Sequence, residues 1–475
     1  MMDMTYETVI GLEIHAELSC RTKIFCGCST EFGAPANTHT CPVCMGWPGA
    51  LPVLNRRAVE LAVKAGLALG CSVPEWSVME RKNYFYPDLP KGYQISQLSS
   101  PICGSGVFCY PLGEGTGRLR INRIQLEEDA GKLMHRPDGT GIDFNRCGVP
   151  LIEIVTEPDL RSAEEVRAAL TELRRVLLFA GVCDGKMQEG SLRCDVNLSV
   201  RPAGSEAFGV RTEMKNLNSF QFAVQAVEYE SSRQIALCRE GKPVARETRR
   251  FDESTGTTVP LRAKEEAADY RFFPEPDLPR VHVPPEMVEA LARELPALPA
   301  ARREQYALWG LTREDGEALL ASPDLADYFD TAAGRCAAPK PLCNLILGEL
   351  RGEPYAADPA ALARVAELWA EGTVNSTTAK KLASRLLKEG FDPDRVIAAE
   401  GLSVLRDPET LRAGVEAVLS AAQGPVAQYL AGKTAVEKAL FGQCMGRFGG
   451  RADPAALAET LHAALEQISQ RKQDQ

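Results

Sequence analysis

The clearest hydrophobic pattern in the chain is an alternation. From Tyr6 to Leu18, Thr8, Ile10, Leu12, Ile14, Ala16 and Leu18 fall on one side, and Gly11, Glu13, His15 and Glu17 fall on the other. Period-two alternation predicts a strand with one face on a core. The other face then carries two carboxylates flanking an imidazole, with a half-solvated outer surface as the plain alternative. The pattern returns from Leu192 to Val200, where Arg193, Asp195, Asn197 and Ser199 point away from Leu192, Cys194, Val196, Leu198 and Val200. It returns again in Arg211–Asn216, with Arg211, Glu213 and Lys215 on one side. Strands that set cations beside carboxylates predict the lining of a charged cleft. An otherwise apolar strand, Val149–Val155, carries Glu153, with Glu157 just beyond. An unpaired carboxylate there would be costly to bury.

Helical spacing is marked by its caps. Asn55 is placed to cap a helix from Arg56 to Leu69, which Gly70 stops. Ser162 and Glu165 have the spacing of a capping box for a helix from Ala163 to Ala180, with Val166, Leu170, Leu173 and Leu177 on its inner face. Ser219 opens another helix to about Arg239, closed by Gly241. From about Pro285 the chain turns rich in Ala, Leu and Glu. Leu342–Leu350, Ala360–Glu371, Thr377–Glu389 and Thr410–Ala421 are amphipathic there, joined by Gly, Pro and Asp turns. The expected class is α+β: a mixed-sheet domain over residues 1–290, a helical domain over 291–402 and a helical tail over 403–475.

Length and composition narrow this further. A chain of 475 residues accommodates two to four domains. A net charge of −10 argues against a general nucleic-acid binder, though not against a local basic stripe. Fifteen cysteines, an odd number, with no signal peptide and no apolar run of membrane-spanning length, point to a reducing cytoplasm. Four of them form paired thiols, Cys26 and Cys28, then Cys41 and Cys44, in a turn-rich stretch containing Pro42. That arrangement suits a closed, structural zinc knuckle; reduced core thiols are the alternative.

Other stretches are dense in chemistry without periodicity. Arg81–Tyr93 is basic, aromatic and held by two prolines, and it reads as a binding loop for phosphate and base or sugar, with Lys82, Tyr84 and Lys91 as contacts. Leu126–Lys132 holds Glu127, Glu128 and Asp129 in succession, which is either a surface acidic turn or a magnesium site. Gln188–Ser191 leads into the second alternating strand, and Glu247–Asp252 and Asp269–Asp277 are dense in charge and aromatics. Gly432-Lys433-Thr434 resembles the end of a P-loop, but Ala427 stands where its first glycine belongs. No GxGxxG motif, nucleophile elbow or amidase pairing is evident.

Gly11–His15, Lys82–Gln97, Leu126–Lys132, Gly190–Asp195 and Lys215–Phe220, with the tail around Tyr429–Lys433, closely resemble the B subunits of aspartyl/glutamyl-tRNA amidotransferases, nearly end to end. The resemblance implies a cradle domain, a helical domain and a tail that docks the tRNA elbow. It implies a heterotrimer with an amidase subunit and a further small one, in which the amidase releases ammonia from glutamine and delivers it to this chain. Here ATP and magnesium would phosphorylate the side-chain carboxylate of misacylated Glu-tRNA(Gln) or Asp-tRNA(Asn). Such activation is chemically necessary, because a carboxylate resists ammonia until one oxygen becomes a phosphate leaving group. By motif matching, Glu13, His15 and Glu128 are the implied magnesium ligands, with manganese or a water-bridged His15 as variants. Glu153, Glu189 and Asp195 are further acids of the cleft. Lys82, Tyr84, Lys91, Ser191, Arg193 and Lys215 would hold phosphate or the aminoacyl end of the tRNA, and Lys433 would serve the tail with Lys438, Arg447 and Arg451.

The sequence departs from the family pattern at Gln125, Cys147, Phe272 and Leu345, where His, Ala, Tyr and Trp are expected. Gln125 bears on the surroundings of Glu128. Two rival classes stay open on the residues alone. One is a non-catalytic zinc-knuckle RNA-binding module. The other is a self-contained ATP-dependent ligase using free ammonia.

Overall fold

Eight strands make one sheet, and the strand with the clearest alternation lies inside it. The computed structural model describes residues 5–263, 269–350 and 354–473. Its main sheet is built from Tyr6–Glu17 (β1), Gly106–Leu112 (β2), Gly115–Glu128 (β3), Pro150–Thr156 (β4), Leu192–Pro202 (β5), Thr212–Leu217 (β6), Glu247–Asp252 (β7) and Thr257–Ala263 (β8). The order across the sheet is β8-β7-β6-β5-β1-β4-β3-β2. All neighbours are antiparallel except β6 and β7. β1 thus pairs on both edges, with β5 and β4, strands that arrive from far along the chain.

Helices pack on the core of this unit, chief among them Arg56–Ala68 (α1), Ala163–Phe179 (α2) and Phe220–Arg239 (α3), with Leu291 of Pro285–Glu294 (α4) adding to it. Ile10, Leu12 and Ile14 of β1, Val196 and Leu198 of β5 and Ile152 and Ile154 of β4 are buried with Leu61 of α1, Leu170 and Leu173 of α2 and Val227 of α3. Burial of one sheet face fixes the register, since a slip of one residue would turn every apolar side chain outward. The polar face is therefore specified as firmly as the core.

The caps follow the expected signals, with one difference. Asn55 accepts from the backbone N–H of Arg57 and Ser219 from that of Phe222. Ser162 accepts from Glu165 N–H, but the Glu165 carboxylate turns back to the N–H of Arg161 rather than that of Ser162. The box is shifted by one residue on its return side.

Arg81–Tyr93 is only partly loop. Glu80–Asn83 and Tyr93–Ser96 pair as an antiparallel hairpin, and Phe273–Pro274 adds a third strand beside the first. Leu126–Asp129 is not a surface turn. It ends β3 in the interior, with Glu127 and Glu128 only 2% and 1% exposed.

The chain divides into two compact units, the first running to Pro299 and the second from Ala300. The second is helical. Pro323–Ala333, Pro359–Ala370, Pro393–Glu400 and Pro408–Ala421 each begin with proline behind a Ser or Asp cap, a pairing that presets the first turn and fills an orphan N–H. Helices from Pro408 onward share an apolar core around Leu411, Val415, Leu440, Leu457 and Leu461. No helix among the described residues is long and apolar enough to cross a membrane.

Candidate active site

Cross-strand register assembles the polar face of the sheet. On β1, Glu13 stands opposite Asp195 of β5, and His15 stands between Arg193 of β5 and Glu153 of β4. Glu153 in turn faces Gln125 of β3. Residues directly opposite share a face, so four strands contribute to one surface. Ligand atoms of Glu13, His15 and Glu153 lie within 4.8 Å of one another.

Glu127, two residues along β3 from Gln125, completes the group. Its Oε1 lies 3.6 Å from Nε2 of His15, and its Oε2 accepts from the Ser96 hydroxyl at 2.9 Å. Glu128 falls on the other side of the strand. It accepts from the Lys91 ammonium and, at 2.8 Å, from the N–H of Ile95. The structure thus brings Glu127, not Glu128, beside His15, because successive strand residues face opposite ways.

Cations surround the acids. Lys215 of β6 bonds Asp195 at 2.5 Å and Glu213 at 3.1 Å. Arg193 bonds Asp129 at 2.7 Å, and Arg146 reaches the same carboxylate at 3.4 Å. Lys82 makes a different contact. Its ammonium lies 5.2 Å from the ring centre of Tyr270 and 5.9 Å from that of Tyr84, distances at which a cation is attracted to the ring face.

Charge crowding shows in the titration of these groups. Burial, with Glu127 and Glu13 nearby, holds the Glu153 carboxyl well above the usual range. Burial also raises Glu127, against the pull of Lys82, and raises Asp195, against Lys215. His15 moves the other way, down to about 3, through burial and the positive charges of Arg193, Lys215 and Lys82. Its imidazole is neutral at physiological pH, with a lone pair available. A cluster of neighbouring acids around a neutral imidazole is suited to a divalent cation, which would relieve the crowding.

Other expected residues lie elsewhere. Glu189 pairs with Lys186 at 3.0 Å in the turn before β5. Ser191 donates to Asp184 in the same turn, while its carbonyl accepts from Glu17 N–H at 2.8 Å. Lys433 is an exposed residue of the second unit, between the helices Gln423–Leu430 and Val436–Arg447. Sequence reasoning passed over Glu127 and Asp129 as individual groups. Counting alternation outward from Leu126, which is buried, would have placed Glu127 on the face of Glu153.

The cysteine cluster lies on the Lys91 and Glu128 side, away from this face. The sulfurs of Cys26, Cys28, Cys41 and Cys44 are within 4.8 Å of one another. Tetrahedral Zn–S bonds of about 2.3 Å set sulfurs about 3.8 Å apart, so the four thiols suit a structural zinc. Cys26, Cys44, Lys91 and Glu128 line one cavity of about 100 Å³.

Comparison with known proteins accounts for nearly the whole chain. Residues 8–289 match the family described as the GatB/GatE catalytic domain, and residues 327–465 match the GatB domain. A protein of Anaeromyxobacter dehalogenans strain 2CP-1, named as the B subunit of aspartyl/glutamyl-tRNA(Asn/Gln) amidotransferase, is 48% identical, over 97% of this chain and 99% of its own. Proteins of the same name from Thermosynechococcus vestitus and Chlorobium phaeobacteroides are 47% and 45% identical, over 97% and 98% of this chain and 97% and 100% of theirs. With both domain matches and full-length identity of this order, the chain belongs to the B-subunit family of tRNA-dependent amidotransferases, which are ligases.

Proposed function

We propose that this chain activates the side-chain carboxylate of glutamate or aspartate carried on a non-cognate tRNA, by ATP-dependent phosphorylation, and passes it to ammonia to form the amide. The observation that supports this most directly is the group Glu13, His15, Glu127 and Glu153 flanked by Lys82, Lys215 and Arg193. Glu13, His15 and Glu153 would hold magnesium or manganese, with Glu127 fixed beside them by Ser96. A divalent cation supplies charge neutralisation for a transferring phosphoryl group. Oxygen donors suit magnesium, and the imidazole adds affinity for manganese.

The chain's own residues do the remaining work. Asp195 fixes the Lys215 ammonium, and Asp129 fixes the Arg193 guanidinium, so both cations are set before an anionic substrate arrives. Lys82, resting on aromatic faces, keeps its N–H donors for an incoming oxyanion. His15 itself stays neutral across physiological pH and takes up no proton there.

The name shared by the relatives supports assembly with other subunits: an amidase that supplies ammonia from glutamine, and a further small protein. Misacylated tRNA(Gln) and tRNA(Asn) are the proposed substrates, with Lys433, Lys438, Arg447 and Arg451 offering phosphate contacts in the second unit, and the compartment is the cytoplasm. The test is amide formation and ATP hydrolysis on Glu-tRNA(Gln) and Asp-tRNA(Asn), with ammonium as donor, by the assembled enzyme. Loss of both in Glu153→Gln, with tRNA binding retained, is the expected result. Unchanged turnover removes the chemistry from this face.

A further inference from the structure

Lys23 is a buried cation without an acid. It is 0% exposed. Its ammonium donates to the carbonyl of His39 at 2.7 Å, to the carbonyl of Phe144 at 3.2 Å and to Sγ of Cys44 at 3.7 Å. Three donors meet three acceptors, and no carboxylate among the described residues forms an ion pair with it. Lysine is almost never fully buried unless paired, because an uncompensated charge in a low-dielectric interior is strongly disfavoured.

Glu128 lines the same cavity but is bonded to Lys91, which leaves the cysteine cluster as the source of countercharge in contact with Lys23. Four neutral thiols carry none. Four thiolates around a divalent ion carry two negative charges, four less two, spread over the sulfurs. We infer that Lys23 is the countercharge and sulfur-bonding partner of an anionic tetrathiolate zinc centre at Cys26, Cys28, Cys41 and Cys44, acting through Cys44.

The same ammonium joins two segments. His39 belongs to the loop between the cysteine pairs, and Phe144 opens the turn that leads into β4 and Glu153. The contact is reinforced by Cys147, whose thiol lies 3.4 Å from the carbonyl of Cys44, and by Gly148, whose φ of +84° brings the backbone past Lys23 and Cys44. Charge compensation and mechanical attachment therefore meet at one side chain. Partners of this kind, one bond removed from the metal, contribute measurably to metal affinity.

The experiment uses the full chain loaded with zinc, without reference to its activity. Zinc is competed away with a chromophoric chelator in wild type, Lys23→Met and Lys23→Arg. Lys23→Met is expected to lower zinc affinity about 10- to 100-fold, and Lys23→Arg to recover most of the loss. A second readout has the opposite sign. After chelation, Lys23→Met is expected to melt no lower than stripped wild type, because it removes a buried charge that has lost its partner. Equal zinc affinity in wild type and Lys23→Met overturns the inference, as does a wild-type chain that binds no zinc. Should Lys23→Met fail to fold, Lys23→Arg and the melting of stripped against loaded wild type carry the test. A charge-preserving Lys23→Arg variant that itself loses zinc affinity about 10- to 100-fold, or a wild type whose melting is indifferent to zinc, also overturns it.

Discussion

Glu127 and Glu128 are consecutive on β3 and serve opposite faces of it, Glu127 beside the His15 imidazole at 3.6 Å and Glu128 against the Lys91 ammonium. Their substitutions should separate accordingly. Glu127→Gln is expected to lower amide formation about 10- to 100-fold, the effect typical of a group that orients metal ligands, while melting at or near the wild-type temperature. Glu128→Gln leaves Lys91 buried and unpaired, a change that typically costs about 3–5 kcal/mol. It should appear first as a lowered melting temperature. Kinetics and calorimetry on both variants check this, and matching profiles would dissolve the distinction.

Two residues of β1 pull the pH dependence of stability in opposite directions. His15 falls from 6.5 to about 3 in the folded chain. Between those values the unfolded chain takes up a proton that the folded chain does not, so stability is lost as pH falls from 6.5. Glu17 rises from 4.5 to about 7, through burial and then the charge of Asp129. The folded chain keeps a proton there that the unfolded chain releases, so stability is lost as pH rises from 4.5. From pH 4.5 to 6.5 the two oppose each other. Relative to wild type, His15→Gln should make the melting temperature fall more with rising pH across that window, and Glu17→Gln should make it rise more. Superimposable slopes for all three proteins would contradict both assignments.

Much of this site was legible because half of each strand is a core. Burial of Ile10, Leu12 and Ile14 forces Glu13 and His15 to the other face, and the same holds for Asp195 between Cys194 and Val196. What alternation cannot give is the neighbour. Glu153 meets His15 only because β4 pairs with β1 across more than a hundred residues of chain. The true face of Glu128 was hidden because three successive acids conceal the parity that Leu126 sets. Glu80–Asn83 and Tyr93–Ser96 were not legible as strands because each is four residues long, and the pairing of the first with Phe273–Pro274 is distant in sequence.

A helix cap offers a test free of the active face. The Ser162 hydroxyl accepts from Glu165 N–H at 3.1 Å at the start of α2. Ser162→Ala should cost about 1 kcal/mol, read as a shift in denaturation midpoint without a change in slope. Ser162→Gly should cost only a few tenths of a kcal/mol. Equal losses in the two variants would point away from the cap.

The choice of metal is the sharpest consequence of placing an imidazole among carboxylates. Glu13 and Glu153 offer oxygen, which magnesium and manganese both accept, whereas the neutral ring of His15 favours manganese. Replacing His15 with Asn exchanges nitrogen for an oxygen donor on a shorter side chain. Absolute activity should fall with either ion, since the donor is displaced. The ratio of kcat/KM with manganese to that with magnesium should also fall, by about tenfold, on the scale typical of changes around a metal. Loss of binding energy alone would lower both values in proportion and leave the ratio where it was. A constant ratio would mean that His15 touches no metal and that its lowered proton affinity reflects only burial and the neighbouring cations.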